Sequence, residues 1–264
     1  MRLLLFFTNI KVIFEFLIRK KLKKLNGRKL NFSMLKFSNV DKSINEKIDE
    51  LNLKGYTILR NFIDLNRVSY IRSKSYSLIE NEAINADNKS YIIELTKCKN
   101  SKKLLDICYN LKMNSFIRCI AYNYLGLGYF PRYSEIWYTP KTKINKDYQG
   151  SQLWHLDHES KKQLKVFILI SSNLSKNSMT EFISKEKTKK ILPFIKSLLY
   201  KNKHIDNNDL DLLAEKEKLC SGDLLMLDTS KCFHRGGRIT DFDRLIYSAQ
   251  YIPFSSKISH TFRK

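Results

Sequence analysis

Two short stretches of the chain carry side chains that could hold a metal. The first is QLWHLDHESKKQLKVFILI, Gln152 to Ile170, in which His155 stands two positions before Asp157. At the end of a strand, residues two apart point to one face, so an imidazole and a carboxylate would stand side by side. That is half of a metal site. The second is GDLLMLDTSKCFHRGGRITDFDRLIYSAQYIP, Gly222 to Pro253, whose His234 is the best third ligand. Two imidazoles and one carboxylate cover one face of a metal and leave three positions open, whereas a closed structural zinc site wants four protein ligands. Arg244 follows His234 by ten residues and opens the last apolar run. A guanidinium there can grip a carboxylate with two parallel hydrogen bonds.

These residues need a frame, and the rest of the chain reads as one. Asp41 to Leu53 has helical spacing, with Ile44, Ile48 and Leu51 on one side. Gly55 to Ile63 reads as a strand, and Asp64 as the N-cap of a helix from Leu65 to about Asn81. Ser101 to Leu125 reads as one broken helix or two, ended by Gly126 and Gly128. After that the segments become short, β-branched and aromatic. Tyr133 to Thr139, Gln152 to Asp157, Leu164 to Ser171, Asp223 to Asp228 and Leu245 to Ile252 read as strands. A helix from Lys185 to about Lys201 interrupts them, and Pro193 should divide or kink it. Helices first and short strands afterwards suit a β-barrel or jelly roll with helical cladding better than alternating βαβ units.

The chain has 264 residues, with 48 Lys+Arg against 26 Asp+Glu and a net charge of +22. Hydrophobic residues make up 43% and charged residues 28%, enough for a sizeable core. The charge invites a nucleic-acid or anionic-membrane reading. Its placement redirects that reading. Residues 1–40 hold ten basic side chains and one acid, and the remaining +13 is evenly mixed over the rest. The chain therefore divides into a basic N-terminal helical arm, 1–40, and a single domain, 41–264. Nucleic acid is not the expected partner.

For the arm, two readings stand. One is a helix packed on the domain or appended to it. The other is an interfacial helix, which would bring residues 1–25 to a membrane surface with the basic run Arg19 to Lys24 against anionic lipid. Lys11 and Glu15 interrupt the apolar run, which is too short and too charged to span a bilayer. Five cysteines with no CxxC spacing read as free thiols of a reducing, cytoplasmic compartment.

His155-x-Asp157, a long insertion, His234 and then Arg244 resemble the iron(II)- and 2-oxoglutarate-dependent dioxygenases. The surrounding words, WHLDHE, KQLKVFILI and GDLLMLDTSKCFHRGG, are similar to the phytanoyl-CoA dioxygenase-like branch, over roughly residues 50–255. The resemblance implies an α+β, mainly β fold: a double-stranded β-helix (jelly-roll, cupin-like) core with helices packed outside. It implies Fe(II) on His155, Asp157 and His234. It further implies 2-oxoglutarate chelating through its keto-acid end, with its distal carboxylate on Arg244, and O2 as the oxidant. The activity implied is hydroxylation of an unactivated C–H of a small-molecule or lipid- or sugar-linked metabolite, with succinate and CO2 released.

Asp157 is retained where halogenating relatives carry Ala or Gly. Gln250 stands where the DNA-repair branch carries a second Arg, which argues against a nucleobase substrate. The segment 173–190, NLSKNSMTEFISKEKTKK, lacks the Gly-Pro turn and the Pro-Gly-Ser-His motif of relatives. That departure supports the alternative, a degenerate non-catalytic member acting as a binding protein. Tyr138, Gln152 and Lys165 are further candidates for cosubstrate contact, and Trp137, Arg235 and Arg238 for substrate contact. Ordinary packing or a solvated face is the competing role of each. His204 and His260 carry no assignment.

Overall fold

The structure is a computed structural model that describes residues 42–82, 91–126, 129–141, 148–171, 180–201, 204–215, 217–236 and 242–253. The basic arm, the first part of the unusual segment (173–179), Arg238 and His260 lie outside the described residues. Chain contacts divide the molecule into two compact units, residues 1–45 and 46–264. The second unit holds every strand among the described residues and the candidate site residues. No helix among the described residues is long and apolar enough to cross a membrane.

Local signals set the helices. Helix α1 is Lys42–Lys54 and ends at Gly55, whose φ is +81°. A Cβ at Gly55 would come within 2.5 Å of Cys232 Sγ and 2.8 Å of Lys185 Cβ, so both the backbone turn and the close approach require glycine. Helix α2, Leu65–Asn81, starts where Asp64 accepts a hydrogen bond from Arg67 N at 2.8 Å, and it buries Val68, Ile71, Ser75 and Leu78 along one stripe. Helices α3 (Lys102–Lys112) and α4 (Ser115–Leu125) are separated at Asn114, which caps α4 by accepting from Phe116 N and Ile117 N. Helix α5, Lys185–Lys201, keeps Pro193 inside one continuous span rather than dividing there, and α6 is Asn208–Leu213.

The strands form two antiparallel sheets. In chain order they are β1 (Tyr56–Leu59), β2 (Ile93–Glu94), β3 (Tyr129–Thr139), β4 (Leu164–Leu169), β5 (Glu181–Phe182), β6 (Leu224–Leu227), β7 (His234–Arg235) and β8 (Arg244–Pro253). The large sheet runs β1-β6-β4-β8-β3-β2, and β5 pairs with β7 in the small one. Cross-strand partners share a face. One face of the large sheet therefore carries Trp137, Phe167, Leu225, Leu227 and Ile246, which form a buried cluster with Phe182 of the small sheet. The opposite face is covered by helices: Ser134 donates to Cys108 O of α3, and Tyr251 donates to Lys112 O. The site lies on the face turned toward the small sheet.

One expected strand is absent. Gln152–Asp157 begins as a 3-10 turn, Gly150–Gln152, and continues with two single rungs. Trp154 exchanges both backbone hydrogen bonds with Ile205, each 2.9 Å, and His155 exchanges both with His234, each 3.1 Å. The segment is extended, but each neighbouring chain pairs with one residue only. No ladder can build.

Candidate metal centre

The rung between His155 and His234 puts two histidines 79 positions apart in the chain on the same face. Their ring centroids are 4.2 Å apart. Asp157 is placed by its backbone N–H, which donates to Thr229 O at 2.9 Å. Asp157 Oδ1 then lies 3.8 Å from His155 Nε2, and Oδ2 lies 3.6 Å from His234 Nε2. One donor atom from each of the three residues falls within 4.8 Å of the others, and among the described residues this is the cluster able to hold a metal ion.

The proton placement follows from the partners. His155 Nδ1 lies 2.8 Å from Leu153 O, and His234 Nδ1 lies 3.3 Å from Cys232 O. A carbonyl only accepts, so both Nδ1 atoms carry the hydrogen and both Nε2 lone pairs point into the cluster. His234 Nε2 is buried and makes no hydrogen bond among the described residues. Burial pushes the pKa of His155 down to about 4, and burial together with the neighbouring His155 holds His234 well below the ordinary histidine range. Neutral imidazoles are the ligating form. Burial alone would raise the pKa of Asp157, but the Lys165 ammonium 2.6 Å from Oδ2 outweighs it and holds the carboxyl well below the carboxylate range. Two neutral nitrogens and one carboxylate, with an orphaned lone pair among them, fit a divalent transition metal.

Lys165 points into the centre, as its alternation with Val166 allowed. Its Nζ lies 2.6 Å from Asp157 Oδ2, and its side chain is almost fully buried. Arg244 is buried on the same face of the sheet. Its Nη2 lies 3.7 Å from the position a Cβ on Gly236 would take, so the glycine two residues after His234 leaves room for the guanidinium. Burial lowers its pKa to about 10, which leaves it charged at neutral pH. The Gly236 amide donates to Ser151 O at 2.6 Å, and Ser151 N donates to the Tyr91 hydroxyl at 2.7 Å. Arg244, Gly236, Ser151 and Tyr91 thus form one wall beside the histidine rung.

Other expected contacts go elsewhere. Tyr138 pairs with Leu245 rather than Arg244, so it points to the helix-covered face, where its hydroxyl donates to Asp243 Oδ2 at 2.9 Å. Strand parity removes it from the wall that holds Arg244. Gln152 accepts from Gln149 N and closes a capping box on its own turn. Trp137 faces the interior cluster, with its indole N–H donating to Glu135 at 2.9 Å. Arg235 alternates with His234 and faces the other way. It is buried, pairs with Glu181, holds Asp211 at 2.7 Å and lies 4.5 Å from the Trp154 ring centroid. Those contacts occupy the guanidinium and tie β7 to α6, in place of the expected substrate contact.

Three residues escaped the sequence reading. Thr139 is the cross-strand partner of Arg244, and its hydroxyl is buried without a hydrogen bond among the described residues. Counting from Tyr138 by strand parity would have found it, once Arg244 was known to pair there. Tyr91 has no local signal. His204 lies with its ring 4.9 Å from that of His155, brought there by the Trp154–Ile205 rung.

No protein-family model matches the sequence, and no curated protein is significantly similar to it. Solved structures are similar in three dimensions. The non-heme alpha-ketoglutarate-dependent epimerase SnoN from nogalamycin biosynthesis has a TM-score of 0.54 at 13% identity, over 80% of this chain and 83% of that one. HygX from Streptomyces hygroscopicus, solved with nickel and 2-oxoglutarate, has a TM-score of 0.56 at 11% identity, over 79% and 86%. EctD from S. alaskensis has a TM-score of 0.56 at 16% identity, over 80% and 77%. The chain shares the fold of these proteins.

Proposed function

We propose that this chain is an Fe(II)- and 2-oxoglutarate-dependent dioxygenase of the phytanoyl-CoA dioxygenase-like branch, built on a double-stranded β-helix. The observation that carries the reading is the His155–Asp157–His234 cluster, with its buried, unbonded Nε2 beside a buried Arg244. His155, Asp157 and His234 would hold the iron. Arg244 would take the distal carboxylate of 2-oxoglutarate in a two-pronged grip, with the Thr139 hydroxyl as an added donor. When bound, the iron and its cosubstrate supply the oxidising power, with O2 consumed and succinate and CO2 released.

The protein's own part is placement and exclusion. The backbone rung fixes the angle between the imidazoles, and their Nδ1–H bonds fix the tautomer. Lys165 balances the charge of Asp157 in a site too buried for water to do so. The substrate is proposed to be a small-molecule or lipid- or sugar-linked metabolite, hydroxylated at an unactivated C–H. SnoN was solved with Fe3+, alpha-ketoglutarate and nogalamycin RO, which supports a small-molecule substrate. The five cysteines are free thiols, which supports a reducing, cytoplasmic setting.

A second reading is favoured by one contact. Lys165 at 2.6 Å already pairs with the ligand carboxylate, as it would in a non-catalytic binding protein. Anaerobic titration with Fe(II) and 2-oxoglutarate separates the two. A dioxygenase gives a metal-to-ligand charge-transfer band in the visible, and the band disappears in His155→Ala. Intact protein with no band overturns the dioxygenase reading.

A further inference from the structure

Gln250 is fully buried on the face of the large sheet that carries the site, in a position to which no chemistry has yet been given. It belongs to a continuous hydrogen-bonded chain. Arg132 Nη1 donates to Gln250 Oε1 at 3.1 Å, Gln250 Nε2 donates to Gln163 Oε1 at 3.2 Å, and Gln163 Nε2 donates to Thr229 Oγ1 at 2.9 Å. Thr229 in turn holds Asp157 through its backbone, with Thr229 O accepting the Asp157 N–H at 2.9 Å.

We propose that Gln250, Gln163 and Thr229 are a positioning relay, which runs from Arg132 across β3 and β8 to the connections at Gln163 and Thr229 and sets the orientation in which Asp157 is presented to a metal. The proposal rests on the metal-site reading above and deepens it. Three features argue that the chain is a device rather than incidental packing.

The first is its polarity. A guanidinium only donates, so Gln250 must offer it the amide oxygen. The Gln250 NH2 must then face Gln163, whose oxygen accepts it. The Gln163 NH2 then donates to the Thr229 hydroxyl and anchors the residue whose carbonyl takes the Asp157 N–H. A backbone carbonyl only accepts, so the Asp157 N–H completes the chain with no donor opposing another. Its cationic end fixes the sense of every side-chain bond down to Thr229, and aligned bonds of this kind reinforce one another in a low-dielectric interior.

The second is the backbone. The β3–β8 register slips between Pro131 and Tyr133, which leaves Arg132 as the extra residue of a bulge. Strict alternation would turn Arg132 away from the face that Tyr133 shares with Gln250. A bulge re-aims a side chain, and here it lets Arg132 reach both Gln250 and Glu159, the latter at 2.8 Å. The third is burial: Gln163, Thr229 and Gln250 are all inaccessible to solvent. A buried amide pair in a mainly apolar sheet is costly unless fully bonded, and apolar residues would serve packing better. The Lys165 ammonium on Oδ2 then holds the carboxylate from a second direction.

The test is the affinity of the purified protein for Co(II), followed by its visible absorption, with thermal melting of the apo-protein measured alongside. Gln250→Met and Thr229→Val keep shape and remove the polar groups, and each is expected to weaken Co(II) binding by roughly 10-fold or more, the usual effect of losing a partner behind a ligand. Thr229→Ser restores the hydroxyl and should restore affinity. Arg132→Met alters only the half-exposed end and should give a smaller loss in a fully folded protein. If Gln250→Met does not fold, the Thr229→Val and Thr229→Ser pair decides. Folded variants that bind Co(II) as the parent does overturn the relay and leave the metal site standing. A parent protein that binds no Co(II) overturns the metal site itself, and with it the relay.

Discussion

Thr139 lies directly opposite Arg244 in the ladder between β3 and β8, so a threonine hydroxyl and a guanidinium share one buried face beside the histidine rung. Neither would be placed there for packing alone. The Thr139 hydroxyl has no hydrogen bond among the described residues, and an anion held by Arg244 would give it one. Arg244→Met is therefore expected to weaken 2-oxoglutarate binding by roughly 100-fold, and Thr139→Val by roughly 10-fold, the value of one hydrogen bond to a charged group at about 1.5 kcal/mol. Metal affinity should stay unchanged in both. Calorimetric titration of the metal-loaded protein with 2-oxoglutarate checks this.

Removing either Asp157 or His234 should abolish metal binding, but the two losses should differ in stability. Asp157→Ala strands the buried Lys165 ammonium, at a cost of about 3–5 kcal/mol. His234→Ala strands no charge. Urea denaturation of the metal-free proteins should show the larger loss in Asp157→Ala. The double variant Asp157→Ala with Lys165→Met should recover most of it. Equal stability of the two single variants would refute the ion pair.

Arg235 bridges β7 to Asp211 of α6 and to Glu181 of β5. Arg235→Leu is expected to destabilise the fold by about 2–3 kcal/mol, near the lower end for breaking a buried pair, because both carboxylates are partly exposed. Affinity for 2-oxoglutarate should survive below the melting transition. A variant of unchanged stability that fails to turn over substrate would return Arg235 to the substrate contacts.

The thiols should separate by burial. Burial pushes the Cys108 thiol up to about 12 and raises that of Cys232, whereas Cys220 is exposed. The thiolate is the reactive form. At pH 8 only about one in 10⁴ Cys108 side chains would be ionised. Iodoacetamide should label Cys220 first and reach Cys108 and Cys232 only on unfolding, as mass spectrometry of the alkylated peptides would show.

Local chemistry was legible wherever neighbours in the chain decide it. Helix α2 starts and stops where its N-cap and apolar stripe place it, because Asp64 acts on an amide three residues away. The candidate ligands were readable for a related reason. His-x-Asp puts two ligands within reach by geometry alone, and His234 and Arg244 keep a spacing that resembles a known arrangement. The expectation of a strand at Gln152–Asp157 failed where alternation was the only guide. Its residues are extended, but Trp154 and His155 each pair with a different segment, so single rungs form in place of a ladder.

By itself, the sequence determined which side chains are present, their alternation along each strand and the reach of each local cap. Only the tertiary structure decided which alternate residue faces the site, since that depends on a register between strands far apart in the chain. Register turned Tyr138 to the helices and Thr139 to Arg244, and a one-residue bulge turned Arg132 inward toward Gln250. Side-chain period is local, but the phase of that period is set by backbone hydrogen bonds to a distant partner.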